Sequence, residues 1–364
     1  MTTTKTNHHS IQVIDDCLQF GKSPDKGGVQ IRFMRTLRIP DDGKTYPLPP
    51  GFGSFPIRRV QDYWDKVPAS WRERGGVFIP MFQREAMWMN FTCPSWRPRA
   101  LQVGVGKICA VTGKPWSGKL KGKASGRLKK KKQNYLVVPK QPWLDGIADG
   151  KGSIRQFVAM PLGMGYTVEA QLTGEESFGG VQLQLFEPHR GLFPTKPPRP
   201  KLARMRSAAM APPCAAPAPA SALGAMDMCM ELEESSMGLA AGGSMKQAIY
   251  EDDHGLQTWD ASQSTRLFVH LCNSEVWRQI TGEEAPSSPV TAVEYEAAGL
   301  PWYDVYDEGV AAVKGGKPLK GVKSVAELDK ETFGTVLGGN KPVNINKIIG
   351  YDLKKAKGVY DGDW

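Results

Sequence analysis

The stretch Val29–Pro40, VQIRFMRTLRIP, carries the clearest structural signal in the 364-residue chain. Its apolar and polar side chains alternate with a period of two, which is typical of an antiparallel strand with one buried and one solvated face. The apolar set consists of Val29, Ile31, Phe33, Leu37 and Ile39. Arg35 interrupts the apolar face and Met34 interrupts the polar one. The stretch therefore predicts a half-buried antiparallel sheet.

Further short apolar stretches follow, separated by turns rich in Gly and Pro. They are Leu101–Val111, Tyr135–Val138, Ile154–Met160, Tyr166–Leu172 and Val181–Phe186. Most suit strands, although Tyr166–Leu172 also suits a helical turn. Many short strands between such turns are typical of a sandwich or a barrel. We therefore expect a β-rich α+β fold, an antiparallel sandwich or partly open barrel with few short helices and a long disordered insertion.

The composition predicts five parts along the chain. Residues 1–26 read as a polar N-terminal arm and residues 27–190 as the β-rich core. Residues 191–243 are rich in Pro, Ala and Met and too poor in large apolar residues to offset the entropy of ordering, which predicts a disordered linker or insertion. Residues 244–308, with helix caps at Asn273 and Thr291, are too few for their own core and are expected to complete the first one. Residues 309–364 form a Gly/Lys-rich C-terminal tail, expected to pack along the surface.

The net charge of +10 is concentrated in one segment, residues 113–133, here called the Lys-rich segment. It holds nine basic residues and no acidic one. Its candidate polyanion-binding residues are Lys119, Lys121, Lys123, Arg127, Lys129, Lys130, Lys131 and Lys132. Such a run gives salt-sensitive contact with a polyanion, but no aromatic residue for base stacking lies between Trp116 and Tyr135. The segment predicts a weak polyanion contact at most.

The segment begins with GKPWSGKL, Gly113–Leu120, which nearly matches the phosphate-binding P-loop pattern. Leu120 stands where the pattern needs a hydroxyl for Mg²⁺, and Pro115 lacks a backbone N–H. The residues that follow are too basic for the amphipathic helix of a P-loop. We therefore interpret the stretch as a solvent-exposed hairpin loop.

Four residues are weak candidates for a catalytic site. Glu169 and Glu175 are candidate paired carboxylates for general acid–base chemistry. His254 follows three carboxylates in Glu251–His254, and Asp304 lies among aromatic residues. No recognised catalytic motif contains any of them, so the sequence predicts no metal site and no cofactor.

The cysteines and the N-terminus bear on location. The six cysteines include no CxxC pair, which favours buried, reduced thiols. Residues 1–12 are polar and lack the apolar run of a secretory signal, and no stretch is apolar enough for a membrane span. We therefore expect a cytoplasmic protein.

These features favour a soluble, non-catalytic binding or self-assembling protein, with a protein partner or a homo-oligomer as its expected state. Two alternatives stay open. One is an enzyme with an unrecognised carboxylate and histidine site. The other is a polyanion binder that uses the Lys-rich segment.

Overall fold

The computed structural model describes residues 11–123, 132–150, 152–198, 236–286, 289–299, 301–306, 311–337, 345 and 348–352. The strands are β1 (Ile11–Ile14), β2 (Cys17–Phe20), β3 (Val29–Thr36), β4 (Thr45–Tyr46), β5 (Gly51–Ser54), β6 (Arg58–Arg59), β7 (Val77–Pro80), β8 (Ala86–Thr92), β9 (Arg99–Val105), β10 (Ile108–Cys109), β11 (Leu136–Val138), β12 (Trp143–Leu144), β13 (Gly146–Ala148), β14 (Ser153–Pro161), β15 (Val181–Pro188), β16 (Ser236–Lys246), β17 (Trp259–Cys272), β18 (Trp302–Tyr306) and β19 (Ile348–Asp352).

The helices are short. They are α1 (Ala69–Arg74), α2 (Val168–Thr173), α3 (Ser274–Thr281), α4 (Ala292–Ala298), α5 (Lys317–Lys320) and α6 (Val325–Phe333). Single turns of 3-10 helix occur at Pro24–Lys26, Val60–Tyr63 and Leu256–Thr258. None of these described helices has the length and apolar character needed to cross a membrane.

Strands β1 to β17 form one large, mostly antiparallel hydrogen-bonded network, and β18 pairs with β19. In this network β15 lies between β9 and β17, and β14 pairs with β8, β13 and β16. The described strands do not close into a barrel. The predicted β-rich α+β fold is therefore confirmed.

Two parallel pairings join the beginning of the chain to strands that follow the insertion. In one, β4 pairs with β16, so that Thr45 lies opposite Ser244. In the other, β7 pairs with β17, so that Val77 lies opposite Val269. Residues after the insertion thus extend the same sheet network as residues before it.

The first eight residues of the alternating stretch Val29–Pro40 form β3, and residues 37–40 continue beyond the end of the strand. Val29, Ile31 and Phe33 are fully buried in the main hydrophobic core. Arg35, which interrupts the apolar face, is buried as an ion pair with Glu85, at 2.8 Å between Nη2 and Oε1. A buried charge is tolerated where it is paired and hydrogen-bonded, so the interruption does not break the strand.

Residues 11–26 differ from the polar arm predicted for 1–26. Strands β1 and β2 form a hairpin, and β2 pairs with β3 with Leu18 opposite Ile31. Leu18 and Phe20 are buried in the core. Each strand has only four residues, too few for a visible period, and Asp15 and Asp16 in left-handed backbone make the turn between them.

The chain re-enters the sheet earlier than the expected boundary at residue 244. Strand β16 begins at Ser236 and pairs with β14 along its length. Its Gly and Ala residues give no hydrophobic pattern that would identify a strand in the sequence. They do permit close packing of the backbone. A Cβ on Gly243 would lie 2.3 Å from the carbonyl oxygen of Pro40. The rest of the predicted insertion, 199–235, lies outside the described residues.

Two other segments depart from simple expectations. Tyr166–Leu172 contains helix α2 rather than a strand, because the Thr167 hydroxyl accepts a hydrogen bond from the backbone N–H of Ala170 and caps it. Within the described part of the C-terminal tail, Leu319, Val322 and Val325 are buried rather than lying on the surface. Helix α6 begins with a capping box at Ser324 and packs on β16.

Candidate functional site

Two neighbouring cavities open at the base of the Lys-rich segment. The smaller one, of about 360 Å³, is here called the cationic cavity, and its lining includes Lys114, Lys121 and Lys132. The larger one, of about 790 Å³, is here called the mixed cavity, and its lining includes Lys123, Lys132 and His254. Since Lys132 lines both, the two cavities adjoin at the point where the Lys-rich segment returns to the sheet.

The sheet positions the cationic cavity. Leu101 and Val103 of β9 point into the main core, so Gln102 and Gly104 face the opposite side of the sheet. Residues 113–121 lie over this outer face. The carbonyl oxygen of Lys119 accepts hydrogen bonds from Gln102 Nε2 at 3.1 Å and from Asn134 Nδ2 at 3.0 Å. The loop is therefore fastened to β9.

Asn134 fastens the other side of the loop. Its Oδ1 accepts a hydrogen bond from the backbone N–H of Lys121 at 2.7 Å, and its backbone N–H donates to the carbonyl of Lys121 at 3.0 Å. The side chain is buried. This single residue therefore fixes the backbone of Lys121 opposite the start of the returning strand.

Trp116 forms one wall of the cationic cavity. Its backbone N–H donates to the carbonyl of Lys107 at 2.7 Å, and its half-buried indole packs over Gly104. A Cβ at Gly104 would lie 2.7 Å from Cε3 of this indole. The missing side chain at position 104 therefore makes room for the ring, and the ring also lines the cavity.

The charges that the described residues place in the cationic cavity all have one sign. Among these residues the lining holds three lysines and no carboxylate. Lys114, Lys121 and Lys132 are exposed, and none of them forms an ion pair with a carboxylate in the described part of the chain. Thr112, Ser117 and the amides of Gln102 and Asn134 complete a polar wall. The arrangement is suited to an anion.

The mixed cavity has carboxylates, but two of them already hold the local structure. The Asp252 side chain accepts hydrogen bonds from the Tyr135 hydroxyl at 2.6 Å, Trp259 Nε1 at 2.9 Å and the backbone N–H of His254 at 2.8 Å. Burial, followed by the hydrogen bond to Asp252, raises the pKa of Tyr135. Asp253 pairs with Lys140 at 2.6 Å.

His254 is exposed on the same turn, and its ring is flanked by two aromatic edges. The ring of Phe193 lies 5.3 Å away and that of Trp259 lies 5.8 Å away, both in T-shaped geometry. The structure thus brings His254 together with Lys123 and Lys132, which sequence analysis treated as separate features.

Glu169 has a structural role. Its buried carboxylate accepts hydrogen bonds from the backbone N–H groups of Ser177, Phe178 and Gly179 at 2.8 to 3.1 Å. Burial raises the pKa of Glu169, and these hydrogen bonds act in the opposite direction. The carboxylate therefore fastens α2 to the loop that precedes β15. Glu175 is exposed on that loop, whereas the carboxylate of Glu169 is buried.

Asp304 lies on β18 and pairs with Lys246 at 2.9 Å. It lines neither of the two cavities described above. The four catalytic candidates are therefore divided among three places in the fold. Among the described residues, no group of three or more His, Cys, Asp and Glu side chains is arranged to hold a metal ion.

Sequence reasoning missed several parts of the cationic cavity. Gln102 and Asn134 gave no signal because polar residues in or beside a strand are common, and Lys114 is one of the nine basic residues of the Lys-rich segment but is not among the predicted polyanion-binding residues. Of the predicted polyanion-binding residues, Lys119, Lys121, Lys123 and Lys132 are described, and the other four fall outside the described residues. Those four are Arg127, Lys129, Lys130 and Lys131.

A second concentration of charge lies under helix α6, here called the α6 charge cluster. Both terminal nitrogens of Arg84 lie 2.7 Å from the carboxylate of Asp329, which is fully buried. That carboxylate also accepts from the Tyr166 hydroxyl at 2.9 Å and the backbone N–H of Leu337 at 3.0 Å. Burial lowers the pKa of neighbouring Arg38 to about 10. This cluster holds α6 against the sheet.

Comparison of the chain with family models, with curated proteins and with solved structures gives no match.

Proposed function

We propose that the protein is a non-catalytic binding protein that holds a phosphate-bearing polyanion along its Lys-rich segment and the cationic cavity. The observation that carries the proposal is that the described residues lining that cavity include three lysines and no carboxylate. The backbone of Lys121 is fixed by Asn134, and Gln102 and Asn134 hold the carbonyl of Lys119. Exposed lysines that face a common space and form no ion pair in the described part of the chain favour an anionic ligand.

The same surface supports a polymer rather than a single small ion. Lys123 and Lys314 line the adjoining mixed cavity, so exposed lysines continue beyond the cationic cavity. Neutralising several phosphates releases condensed counterions, which makes affinity fall steeply with salt. The Lys-rich segment itself contributes Trp116 at the cationic cavity, and Phe193 lies beside His254, which lines the mixed cavity.

The arrangement gives less support to an enzyme. Glu169 and Asp252 are occupied by hydrogen bonds that hold loops, and Asp304 is ion-paired. The predicted protein partner or homo-oligomer remains a separate prediction, which light scattering of the purified protein tests. A cytoplasmic location is part of the proposal, and the four described cysteines, which are free and buried, are compatible with it.

The test measures fluorescence anisotropy of a labelled single-stranded oligonucleotide with the full-length protein over a series of salt concentrations. Each lysine contact with a phosphate contributes about −0.7 to the slope of log K against log salt. The double variant Lys121→Met and Lys132→Met is expected to lower the magnitude of that slope by about 1.4. The control, Lys26→Met with Lys44→Met, removes the same charge at exposed positions outside both cavities.

A second variant separates the cavity from the rest of the segment. Replacing residues 124–131 by a short Gly/Ser linker removes four basic residues but keeps Lys121, Lys123 and Lys132. We expect weaker binding that still depends on salt. If the cavity variant and the control lower the affinity equally, the proposed site is wrong. If the wild type does not bind, the proposed function is wrong.

A further inference from the structure

The cationic cavity is small for a polymer site. Its volume of about 360 Å³ is at the lower end of the range of about 300–1,000 Å³ typical of small-molecule sites. One nucleotide-sized unit fills such a space, and a longer chain has to pass outside it. The cavity therefore selects a single unit of ligand, whatever contacts the surrounding lysines make.

A buried polar side chain in the wall holds the loop over the cavity. Gln102 is 2% exposed, and its Nε2 donates to the carbonyl of Lys119. Its Oε1 is buried and has no hydrogen-bond partner in the described part of the chain. Because this oxygen is not accessible from the cavity, the role of Gln102 is to tie the loop that carries Lys121 to β9.

Trp116 provides a flat apolar surface beside the lysines. One side of the indole is supported by Gly104, and the ring lines the cavity. Stacking on an aromatic side chain is the general way in which proteins hold a nucleobase without reading its sequence. Phosphate-binding cations and a stacking ring thus converge on one space.

We infer that the cationic cavity binds one nucleoside monophosphate unit, either free or at the end of a strand. The phosphate lies among Lys114, Lys121 and Lys132, and the base stacks on Trp116. This inference rests on the proposed function, because both use the same lysines. It adds the identity of the unit that enters the cavity.

The experiment is isothermal titration calorimetry of the full-length protein with AMP, adenosine and inorganic phosphate as separate probes. AMP is expected to bind at least about tenfold more tightly than either fragment, because the lysines and Trp116 hold different parts of it. Lys121→Met and Trp116→Leu are each expected to weaken AMP binding about fivefold or more. Lys26→Met, an equal loss of charge outside the cavity, leaves AMP binding unchanged.

A spectroscopic measurement locates the base. In ¹⁵N-labelled protein the indole N–H resonance of Trp116, assigned with Trp116→Phe, is expected to shift with AMP and not with inorganic phosphate.

The outcomes separate this inference from the proposed function. If the oligonucleotide binds and AMP does not, the inference is overturned and the proposed function stands. Equal affinities for AMP and inorganic phosphate, with an unmoved Trp116 resonance, overturn the assignment of the base. If neither the oligonucleotide nor AMP binds, both proposals fail together.

Discussion

The α6 charge cluster and the cationic cavity both concentrate charged side chains, and they differ in how those charges are paired. In the cluster, Arg84 contacts Asp329 through two nitrogens at 2.7 Å, and the carboxylate is fully buried. In the cavity, Lys114, Lys121 and Lys132 face a space without a lining carboxylate. Charges that neutralise one another hold the fold together, whereas charges left facing a space are available to a ligand. Pairing therefore distinguishes the two roles better than charge density does.

The largest effect on stability is expected from a substitution that breaks the α6 charge cluster. Asp329→Asn leaves Arg84 without its counterion in a largely buried position and is expected to lower the free energy of unfolding by about 3–5 kcal/mol. Urea denaturation measures it. Glu331→Gln removes an exposed partner of Lys323 and is expected to change the free energy by less than about 0.5 kcal/mol. Lys121→Met is expected to be equally mild, so a larger loss there than in Asp329→Asn would overturn the comparison.

An intermediate effect is expected at Glu169, a carboxylate used entirely inside the fold. Glu169→Gln places an amide N–H₂ among three backbone donors and is expected to cost about 1–3 kcal/mol of unfolding free energy. Chemical denaturation measures the cost, with Glu175→Gln as the exposed control. Oligonucleotide binding is expected to stay at the wild-type level. If Glu169→Gln instead keeps the wild-type stability but loses oligonucleotide binding, Glu169 belongs to the binding site.

The smallest effect is a dependence of stability on pH from His270, which is buried between Trp71 and Phe268. Burial lowers the pKa of His270 to about 3. The unfolded chain therefore takes up this proton first, near pH 6.5, and stability falls as the pH drops below that value. Between about pH 7 and about pH 5.5 the loss from this group is about 1 kcal/mol.

The measurement compares urea denaturation of the wild type and His270→Asn at both pH values. The difference between the two proteins is expected to shrink by about 1 kcal/mol at the lower pH. Asp145 acts in the opposite direction, because burial raises the pKa of this carboxyl to about 7. Its contribution to stability falls as the pH rises towards that value, so Asp145→Asn serves as the control of opposite sign. An unchanged gap between the wild type and His270→Asn would show that the imidazole is not held neutral.

Local signals in the sequence predicted the parts of the fold that local physics decides. The alternation of Val29–Pro40 became β3, and the caps at Asn273 and Thr291 begin α3 and α4. The predictions were wrong for segments that become strands only by pairing with another strand. Strands β1 and β2 have four residues each, and β16 is built largely from Gly and Ala. These segments are strands because of their neighbours.

The cationic cavity was only partly predictable for the same reason. Lys121 and Lys132 could be predicted because a run of lysines is recognisable in the sequence without knowledge of the fold. Gln102 and Trp116 join them only because β9 pairs with β11 and β15 and the connecting loop folds back over β9. Charge can be recognised in the sequence. A buried acceptor without a hydrogen-bond partner, such as Gln102 Oε1, becomes apparent only once the sheet has formed around it.

The two parallel pairings that bridge the insertion also affect the order in which the protein can be made. During synthesis β4 and β7 leave the ribosome long before β16 and β17, their partners, have been translated. Until then the nascent sheet exposes unpaired edges and apolar surface, the condition in which chains aggregate. Contacts between such distant residues also slow folding. The first half of the chain is therefore open to aggregation until the strands that follow the insertion have been made.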